Sequence, residues 1–356
     1  MKLHPRPARA VSTSLCTLAV LHAATLAFAG PLTPPVGIVT PTNKTLAEVE
    51  PRIAINATNT PGDASAVYRI TQPGSYYLTG NLSGAAGKYV IYCTAPYVTI
   101  DLNGFVIAGG SGSLSGIRVF DACTIRNGTI RACGGAGIDA GTRAHIVAIT
   151  ATTNTGVGID IGGNNGLVEG CVCAGNTGGG ITTIGSANGT IVNCTFSENG
   201  GNGVYLSSSW RIASSTIGGN DAIGIDAQQN GLIENCLISF NGTHGVRAGS
   251  RCRITNNSIV DNGQTIVSGA GILCTGGYAH ADANTVSGND IGIQVTGTNR
   301  NFIARNMCGN NPLTNFSIVA GNICFVVAAV PVAAGFSGDS GGVSPGSTNP
   351  HANYGY

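Results

Sequence analysis

The stretch Asn220-Asp-Ala-Ile-Gly-Ile-Asp226 contains the unit that decides the fold: a glycine, four residues after an asparagine, followed by isoleucine or valine. Such Gly-apolar pairs recur nine times, at intervals of 21, 21, 22, 23, 21, 21, 26 and 21 residues. They begin at Gly116, Gly137, Gly158, Gly180, Gly203, Gly224, Gly245, Gly271 and Gly292. This period is too short for paired-helix repeats and lacks the leucine frame of leucine-rich repeats. It therefore predicts an all-β solenoid with one coil per repeat.

A column of asparagines accompanies these glycines. Each lies four residues before a Gly-apolar pair, once a five-residue insertion at 264–268 is removed from the sixth repeat. The members are Asn154, Asn176, Asn199, Asn220, Asn241 and Asn262. Asparagine tolerates the left-handed conformation of a sharp turn, and stacked amides hydrogen-bond from coil to coil. The column therefore predicts a structural ladder of stacked side chains.

The N-terminal segment predicts export. Basic residues precede an apolar stretch that ends in Ala27-Phe28-Ala29, so residues 1–29 are typical of a signal peptide. The other long apolar run, residues 325–335, is too short to span a bilayer. We therefore expect no membrane span and a secreted, periplasmic or cell-surface location.

The rest of the chain divides by composition. We expect a proline-rich linker over 30–43, an N-terminal cap over 44–96 with a short helix at 44–55, the solenoid over 97–324, and a closing strand with a flexible tail over 325–356. The cap is expected because an open end would expose core and unpaired strand edge.

The charge balance argues against a nucleic-acid partner. Residues 1–29 hold three of the 17 basic residues and none of the 16 acidic ones, so the mature chain carries 14 against 16, a formal charge of −2. No basic cluster stands out that could neutralise phosphates. The 55 glycines suit close-stacked strands and turns.

The cysteines are predicted to be structural. Eleven remain after residues 1–29, an odd number. Cys171, Cys194 and Cys236 each lie nine residues before a Gly-apolar pair, which indicates an interior stack. Cys171 and Cys173 form a close pair, but their spacing is not that of zinc ligands, so we expect a buried apolar filler and no metal there.

The segment Val98-Thr-Ile-Asp-Leu-Asn-Gly-Phe105, followed by the Gly-apolar coils and the asparagine column, resembles the secreted right-handed parallel β-helix repeat proteins, the pectate lyase and polygalacturonase superfamily. The resemblance covers about residues 65–325 and implies a single-stranded right-handed parallel β-helix of about ten coils. It implies function less narrowly, because this fold carries lyases, hydrolases, epimerases, phage tailspikes and bacterial surface proteins of unassigned activity. The overall layout resembles the last group most.

A candidate catalytic site follows from strand alternation. The residue after each inward isoleucine points outward, which places Arg118, Asp139 and Asp160 on adjacent coils roughly 4.8 Å apart. Two carboxyl groups that close raise one pKa, as a general acid beside a base or nucleophile requires. They could equally share a calcium ion, although no cofactor is required. We predict Asp139 and Asp160 as catalytic residues and Arg118 as a substrate contact. The alternative is a solvated ladder in which Arg118 offsets Asp139 and Asp226 pairs with Arg247.

Further substrate contacts are predicted on later coils. Tyr205, Asp226 and Arg247 continue the same outward column, and the Tyr205 ring could stack on a sugar. The segment around His244 resembles the Gly-His-Gly segment of polygalacturonases. Of the acidic positions that family needs, Asp221 alone remains, so the motif set is incomplete.

The sequence favours an exported protein that binds extracellular or cell-surface polysaccharide along an exposed sheet, and it leaves open whether the protein also cleaves the polymer as a lyase or hydrolase. The alternative is a non-catalytic structural or adhesive surface protein with the solenoid as a stiff spacer. A catalytic site needs a groove walled by loops. The insertion at 264–268 is the one long enough to form a wall, and it lies about five coils from Asp139, which favours the alternative.

Overall fold

Parallel β-sheets wound around one core make up the described part of the chain. The computed structural model describes residues 50–328, 336–338 and 351–355, in which every regular element is a strand. Sheet 1 has thirteen parallel strands. They are Ala66–Ile70, Tyr89–Cys93, Ile117–Asp121, Ile138–Thr142, Ile159–Ile161, Ile181–Thr182, Val204–Ser208, Ile225–Gln229, Val246–Ser250, Ala270–Cys274, Ile291–Val295, Thr314–Ile318 and Phe336–Gly338.

The remaining 24 strands form two further faces, sheets 2 and 3, joined where Thr124–Arg131 and His145–Thr152 run through both. Sheet 2 also contains Ile53–Ala54, Gly74–Tyr77, Val98–Asp101, Leu167–Glu169, Thr190–Val192, Arg211–Ala213, Leu232–Glu234, Arg253–Thr255, His280–Asp282, Phe302–Ala304 and Ile323–Cys324. Sheet 3 also contains Leu82–Ser83, Val106–Ala108, Val172–Ala174, Thr195–Ser197, Thr216–Gly218, Leu237–Ser239, Ser258–Val260, Thr285–Ser287, Met307–Gly309, Val326–Ala328 and Asn353–Gly355.

The register between coils is the one that the Gly-apolar pairs predict. Ile138 lies beside Ile117 in one neighbouring coil and beside Ile159 in the other, and all strand pairs between coils are parallel. The chain makes about 12 turns, somewhat more than the ten expected. The prediction of an all-β parallel solenoid is confirmed.

The solenoid begins earlier than the sequence indicated. Ala66–Ile70 and Tyr89–Cys93 are the first two strands of sheet 1 and pair in register, although both lie within the segment 44–96 expected to be a cap. The described end of the expected short helix holds the strand Ile53–Ala54 instead. These coils lack a Gly-apolar pair, so the repeat was not visible in them.

Several predicted segments lie outside the described residues: the signal peptide at 1–29, the linker at 30–43 and most of the closing segment at 325–356. Within the described residues, no helix is long and apolar enough to cross a membrane. The described strand Asn353–Gly355 inserts into sheet 3 between Met307–Gly309 and Val326–Ala328.

The core is a stack of inward side chains, one layer per coil. Ile159 and Ile225 are both 0% exposed, as predicted. The preceding glycine is required because the next coil approaches it closely: a Cβ on Gly158 would lie 2.8 Å from the Cβ of Cys173 and 2.8 Å from the carbonyl oxygen of Gly180. Any larger residue would therefore force the coils apart.

The asparagine ladder is present and continuous. The Asn176 Nδ2 donates to the Oδ1 of Asn199 at 3.0 Å, and the Asn199 Nδ2 donates to the Oδ1 of Asn220 at 2.8 Å. Each Oδ1 also accepts the backbone N–H of the preceding ladder member, at 3.1 Å for Asn176 on Asn199. The ladder continues to Asn289 and Asn311, and a second one, not predicted, joins Asn257, Asn284, Asn306 and Asn353.

The described cysteines are buried, free thiols inside the solenoid. Cys171 and Cys194 are 0% and 2% exposed, and the Cys171 N–H donates to the Cys194 Sγ at 3.4 Å, which confirms the predicted interior stack. Burial raises the pKa of the Cys133 and Cys236 thiols to about 11. Because the thiolate is the reactive form, burial keeps these two unreactive in the folded protein.

Replacing Ile159 with aspartate should unfold the middle coils. An unpaired carboxylate in the core has no compensating partner and costs several kcal/mol. Circular dichroism during urea unfolding will measure the loss. Ile184→Asp is the matched control, because Ile184 is 64% exposed. Equal unfolding curves for the two variants would contradict the assignment of the core.

Replacing Asn199 with alanine should lower the free energy of unfolding by about 1 to 3 kcal/mol, because it leaves buried donors and acceptors of the neighbouring coils without partners. Urea denaturation will measure the change. The control is Gln229→Ala, which shortens an exposed amide side chain on sheet 1. If both variants unfold like the parent, the ladder does not contribute to stability.

Candidate functional site

The outer face of sheet 1 presents one column of side chains that runs the length of the solenoid. Strand register aligns one residue per coil in this column, immediately after the inward isoleucine or valine of each later strand. The column comprises Arg69, Tyr92, Arg118, Asp139, Asp160, Thr182, Tyr205, Asp226, Arg247, Leu273, Gln294 and Ser317. Most of the predicted site residues therefore lie on one line.

Arg118, Asp139 and Asp160 occupy three successive coils of this column. Arg118 pairs with Asp139 in register, and its Nη1 donates to the Oδ2 of that carboxylate. The side chains are 33% and 25% exposed, so the pair is partly shielded from water. The pair keeps Arg118 beside the sheet, where its remaining N–H groups can face a ligand.

Asp160 differs from its neighbour because it makes no hydrogen bond to any described residue. Partial burial, reinforced by the negative charge of Asp139, raises the pKa of Asp160 to about 6, against the smaller opposing effect of Arg118. In the next coil the Thr182 hydroxyl is buried and likewise finds no hydrogen-bond partner among the described residues. The column thus contains a carboxyl group that can take or give a proton near neutral pH.

Aromatic rings flank Arg118, and the sequence interpretation missed them. The Arg118 guanidinium carbon lies 5.2 Å from the centre of the Phe120 ring and 5.6 Å from that of Tyr89. Tyr92 lies 5.8 Å from Phe120 between ring centres, and Arg69 stacks over Tyr92 at 4.3 Å. Tyr89 and Tyr92 belong to a coil without a Gly-apolar pair, so the column could not be extended to them from the repeat.

The second group of predicted contacts is arranged differently. The Asp226 side chain is 1% exposed. Arg247 donates to its carboxylate through Nε and Nη2, and the Gln228 Nε2 donates to it at 2.9 Å. Asp226 is therefore enclosed by its partners, while Arg247 and the half-buried Tyr205 form the accessible surface. A shallow depression beside them is lined by Gln228, Arg247 and Thr275.

His244 lies in a neighbouring outward column on the coil of Arg247. Its Nδ1 accepts the backbone N–H of Ala270 at 3.0 Å, which leaves the proton of the neutral ring on Nε2. Burial and the charge of Arg247 lower the pKa of His244, so the ring is neutral at pH 7. This coil lies five coils, about 24 Å, from Asp139, whereas Tyr205, the nearest member of the second group, lies two coils, about 10 Å, from Asp160.

The geometry also bears on metals and on the loop at 264–268. The described residues contain no group of three or more His, Cys, Asp or Glu side chains that could hold a metal ion. A calcium ion at Asp139 and Asp160 would need six to eight oxygens, so water or substrate would have to supply most of them.

The loop at 264–268, with Val267 90% exposed, lies on the coil after His244 rather than beside Asp139.

Comparisons with known proteins agree with the architecture. Residues 103–231 match the family model described as a right-handed β-helix region. Among solved structures, the A-module of mannuronan C-5 epimerase AlgE6 from Azotobacter vinelandii has a TM-score of 0.55 at 18% identity, covering 81% of this chain and 87% of that one. The A-module of AlgE4 from the same organism gives 0.46 at 19% identity, with 72% and 82% covered.

Pectate lyase Pel9A gives a TM-score of 0.40 at 14% identity, covering 72% of this chain and 74% of that one. No curated protein matches the chain at a significant level. Together with the observed sheets, the matches to the family model over residues 103–231 and to the AlgE6 module show that the chain has the right-handed parallel β-helix fold. The resemblance seen in the sequence is thus confirmed at the level of the fold.

Asp160→Asn should stabilise the protein at neutral pH. The pKa of Asp160 is raised from 3.8 to about 6 on folding, so the folded state holds a proton that the unfolded chain releases. The stability of the parent therefore falls as the pH rises from about 4 to about 6, and the loss persists above that range. The variant lacks this loss and should be more stable by about 1 to 3 kcal/mol at pH 8.

Urea unfolding at pH 4 and pH 8 will measure this difference. Asp221→Asn, at an exposed carboxylate, provides the control. If the free energy of unfolding of Asp160→Asn exceeds that of the parent by no more at pH 8 than at pH 4, as is expected for Asp221→Asn, then folding does not raise the pKa of Asp160.

Proposed function

We propose that the protein binds an extracellular or cell-surface polysaccharide along sheet 1 and that Asp160 acts on the bound polymer as a general acid or base. The observation that supports this proposal is the Asp160 carboxyl group itself: half-buried, without a hydrogen bond to any described residue, and with a pKa raised to about 6. A carboxylate in a purely structural column is expected to be paired, as Asp139 and Asp226 are.

The shape and chemistry of the column suit an extended polymer. It presents one side chain per coil at a spacing of roughly 4.8 Å, over many coils and without interruption. Phe120 is 41% exposed, and together with Tyr92 it offers ring surface on which sugar rings can stack next to Arg118. The structurally similar AlgE6 module is, by its name, a mannuronan epimerase, which is consistent with a polysaccharide ligand.

Two polysaccharide-cleaving reactions begin with a proton transfer that Asp160 can perform. As a carboxylate it can take a proton from a sugar carbon next to a carboxyl group, the first step of an elimination. As a carboxylic acid it can protonate a departing glycosidic oxygen, the step that begins hydrolysis. In either case Arg118 would neutralise a carboxylate on the sugar, and neither step requires a cofactor.

Asp160→Asn should abolish turnover and retain binding. A glycan array will identify the polymer, and product formation will be followed as new reducing ends and as the ultraviolet absorbance of an unsaturated uronate. Loss of a general acid or base lowers the rate by about a hundredfold or more, so product formation should fall by that factor. Asp221→Asn should behave like the parent. Equal turnover by the parent and both variants would remove Asp160 from the mechanism.

The competing function is that of a non-catalytic stiff spacer. It is favoured by the enclosed network of Asp226, Gln228 and Arg247, which resembles a structural ladder, and by the position of the loop at 264–268, remote from Asp139. Binding to the glycan array distinguishes polysaccharide binding from the spacer function. If the parent binds no glycan, or if Arg118→Gln and Arg247→Gln bind as the parent does, the spacer function is the one supported.

Export is part of the same proposal and rests on residues 1–29 alone. N-terminal sequencing of the protein recovered from the medium or periplasm should begin at Gly30. A mature protein that retains Met1 would contradict export by this signal.

A further inference from the structure

Arginines that are distant in sequence meet on the outer face of sheet 2 near the end of the solenoid. Arg253 pairs in register with His280, and His280 with Phe302. Two residues before each of them, at the corner that enters sheet 2, stand Arg251, Tyr278 and Arg300, with left-handed φ values of 57°, 61° and 48°. These three corner residues therefore stack one coil apart beside Arg253. We call Arg251, Arg253, Tyr278 and Arg300 the arginine face.

Within the described residues no ion pair compensates the positive charge of this face, and the one nearby acid on which it acts is Asp282, whose pKa Arg305 and, to a smaller extent, Arg253 lower. Arg251, Arg253 and Arg300 are exposed, and none of them makes an ion pair within the described residues. The adjacent acid, Asp282, has a side chain only 3% exposed and is already bound by Arg305, whose Nε donates to its Oδ1 at 2.8 Å. Three guanidinium groups therefore remain available to a ligand.

The composition of the face is specific to these coils. At the same corner the four preceding coils carry the neutral residues Asn165, Asn188, Ser209 and Asn230, and the coil before those carries Arg143, which is ion-paired with Asp121. On the arginine face Tyr278 is 59% exposed and lies between Arg251 and Arg300. His280 and Phe302 beside it are half-buried and packed edge to face, 5.0 Å apart between ring centres, so they offer little open ring surface.

We propose that the arginine face binds a polyanionic glycan, at a second site that is separate from sheet 1 and independent of the function proposed there. Guanidinium groups bind sulfate, phosphate and carboxylate groups through two N–H donors at once. Arg251 and Arg300 are two coils apart, about 10 Å, a separation that fits repeated charges on a polymer better than a single small anion.

One exposed ring between the arginines can cover a sugar. Single-stranded nucleic acid, by contrast, is bound by several exposed rings on which successive bases stack. Tyr278 is the one such ring on this face, which favours a glycan.

Dextran sulfate is the probe, with unmodified dextran of the same length as the neutral comparison, and binding to the full chain is measured by calorimetry at low and high salt. The parent should bind dextran sulfate, more weakly at high salt, and should not bind dextran. The triple variant Arg251→Gln, Arg253→Gln, Arg300→Gln should bind at least about tenfold more weakly.

The matched control removes the same charge elsewhere, through Lys88→Gln, Arg131→Gln and Arg143→Gln, and should change the affinity by less than about twofold. Five of the six side chains are exposed and Lys88 is half-buried, so both variants should melt close to the parent. Equal weakening by the two triple variants, or no binding by the parent, would overturn the proposal.

Further measurements distinguish a glycan site on the arginine face from binding at sheet 1 and from a nucleic-acid surface. Tyr278→Asn keeps a residue that tolerates the left-handed corner, and it should weaken dextran sulfate binding while leaving the salt dependence unchanged. Asp160→Asn should bind dextran sulfate as tightly as the parent does, whether or not the function proposed for sheet 1 is correct, because Asp160 lies outside the arginine face. Tighter binding of oligodeoxythymidylate than of dextran sulfate would identify a nucleic-acid surface and refute the glycan proposal.

Discussion

The structure depends on one constraint: each coil must place its backbone N–H groups opposite the carbonyl oxygens of the next coil, roughly 4.8 Å away. Residues in the strands are therefore stacked on the residues one repeat earlier. A side chain fits only if its size and polarity are compatible with those of the side chains stacked on either side of it. Isoleucine stacks on isoleucine in the core, and Asn176 on Asn199 at the turn. The glycine before each inward isoleucine is a consequence of the same close approach.

The same stacking governs charge. A charged residue on the outer face meets whatever occupies its column one coil away, so opposite charges are placed together on adjacent coils. Arg118 with Asp139 and Arg247 with Asp226 follow this rule on sheet 1. Asp160 departs from it, because it stacks on a carboxylate and on an uncharged threonine. An unpaired acid in an otherwise balanced column is costly, and such departures are expected where a residue is kept for function.

Much of the fold and part of the candidate site could be predicted from the sequence, because a repeat encodes vertical neighbours directly. Once the period near 21 residues is known, the partner of any residue is the residue one repeat away. That relation is enough to place Asp139 beside Asp160 and Arg118, and to align the asparagines. It does not apply to the first coils, which lack the Gly-apolar pair, and there the predicted cap is instead part of the solenoid.

The sequence by itself thus determined the repeat, the inward and outward alternation and the contacts one repeat apart. Only the tertiary structure decided what depends on lateral packing and on water. It enclosed Asp226 beneath Arg247, brought the rings of Tyr89 and Phe120 to Arg118, and left the arginines of the arginine face exposed and without ion pairs among the described residues. The reason is physical: a period specifies which backbones lie side by side, whereas burial, side-chain reach and uncompensated charge arise from all neighbours together.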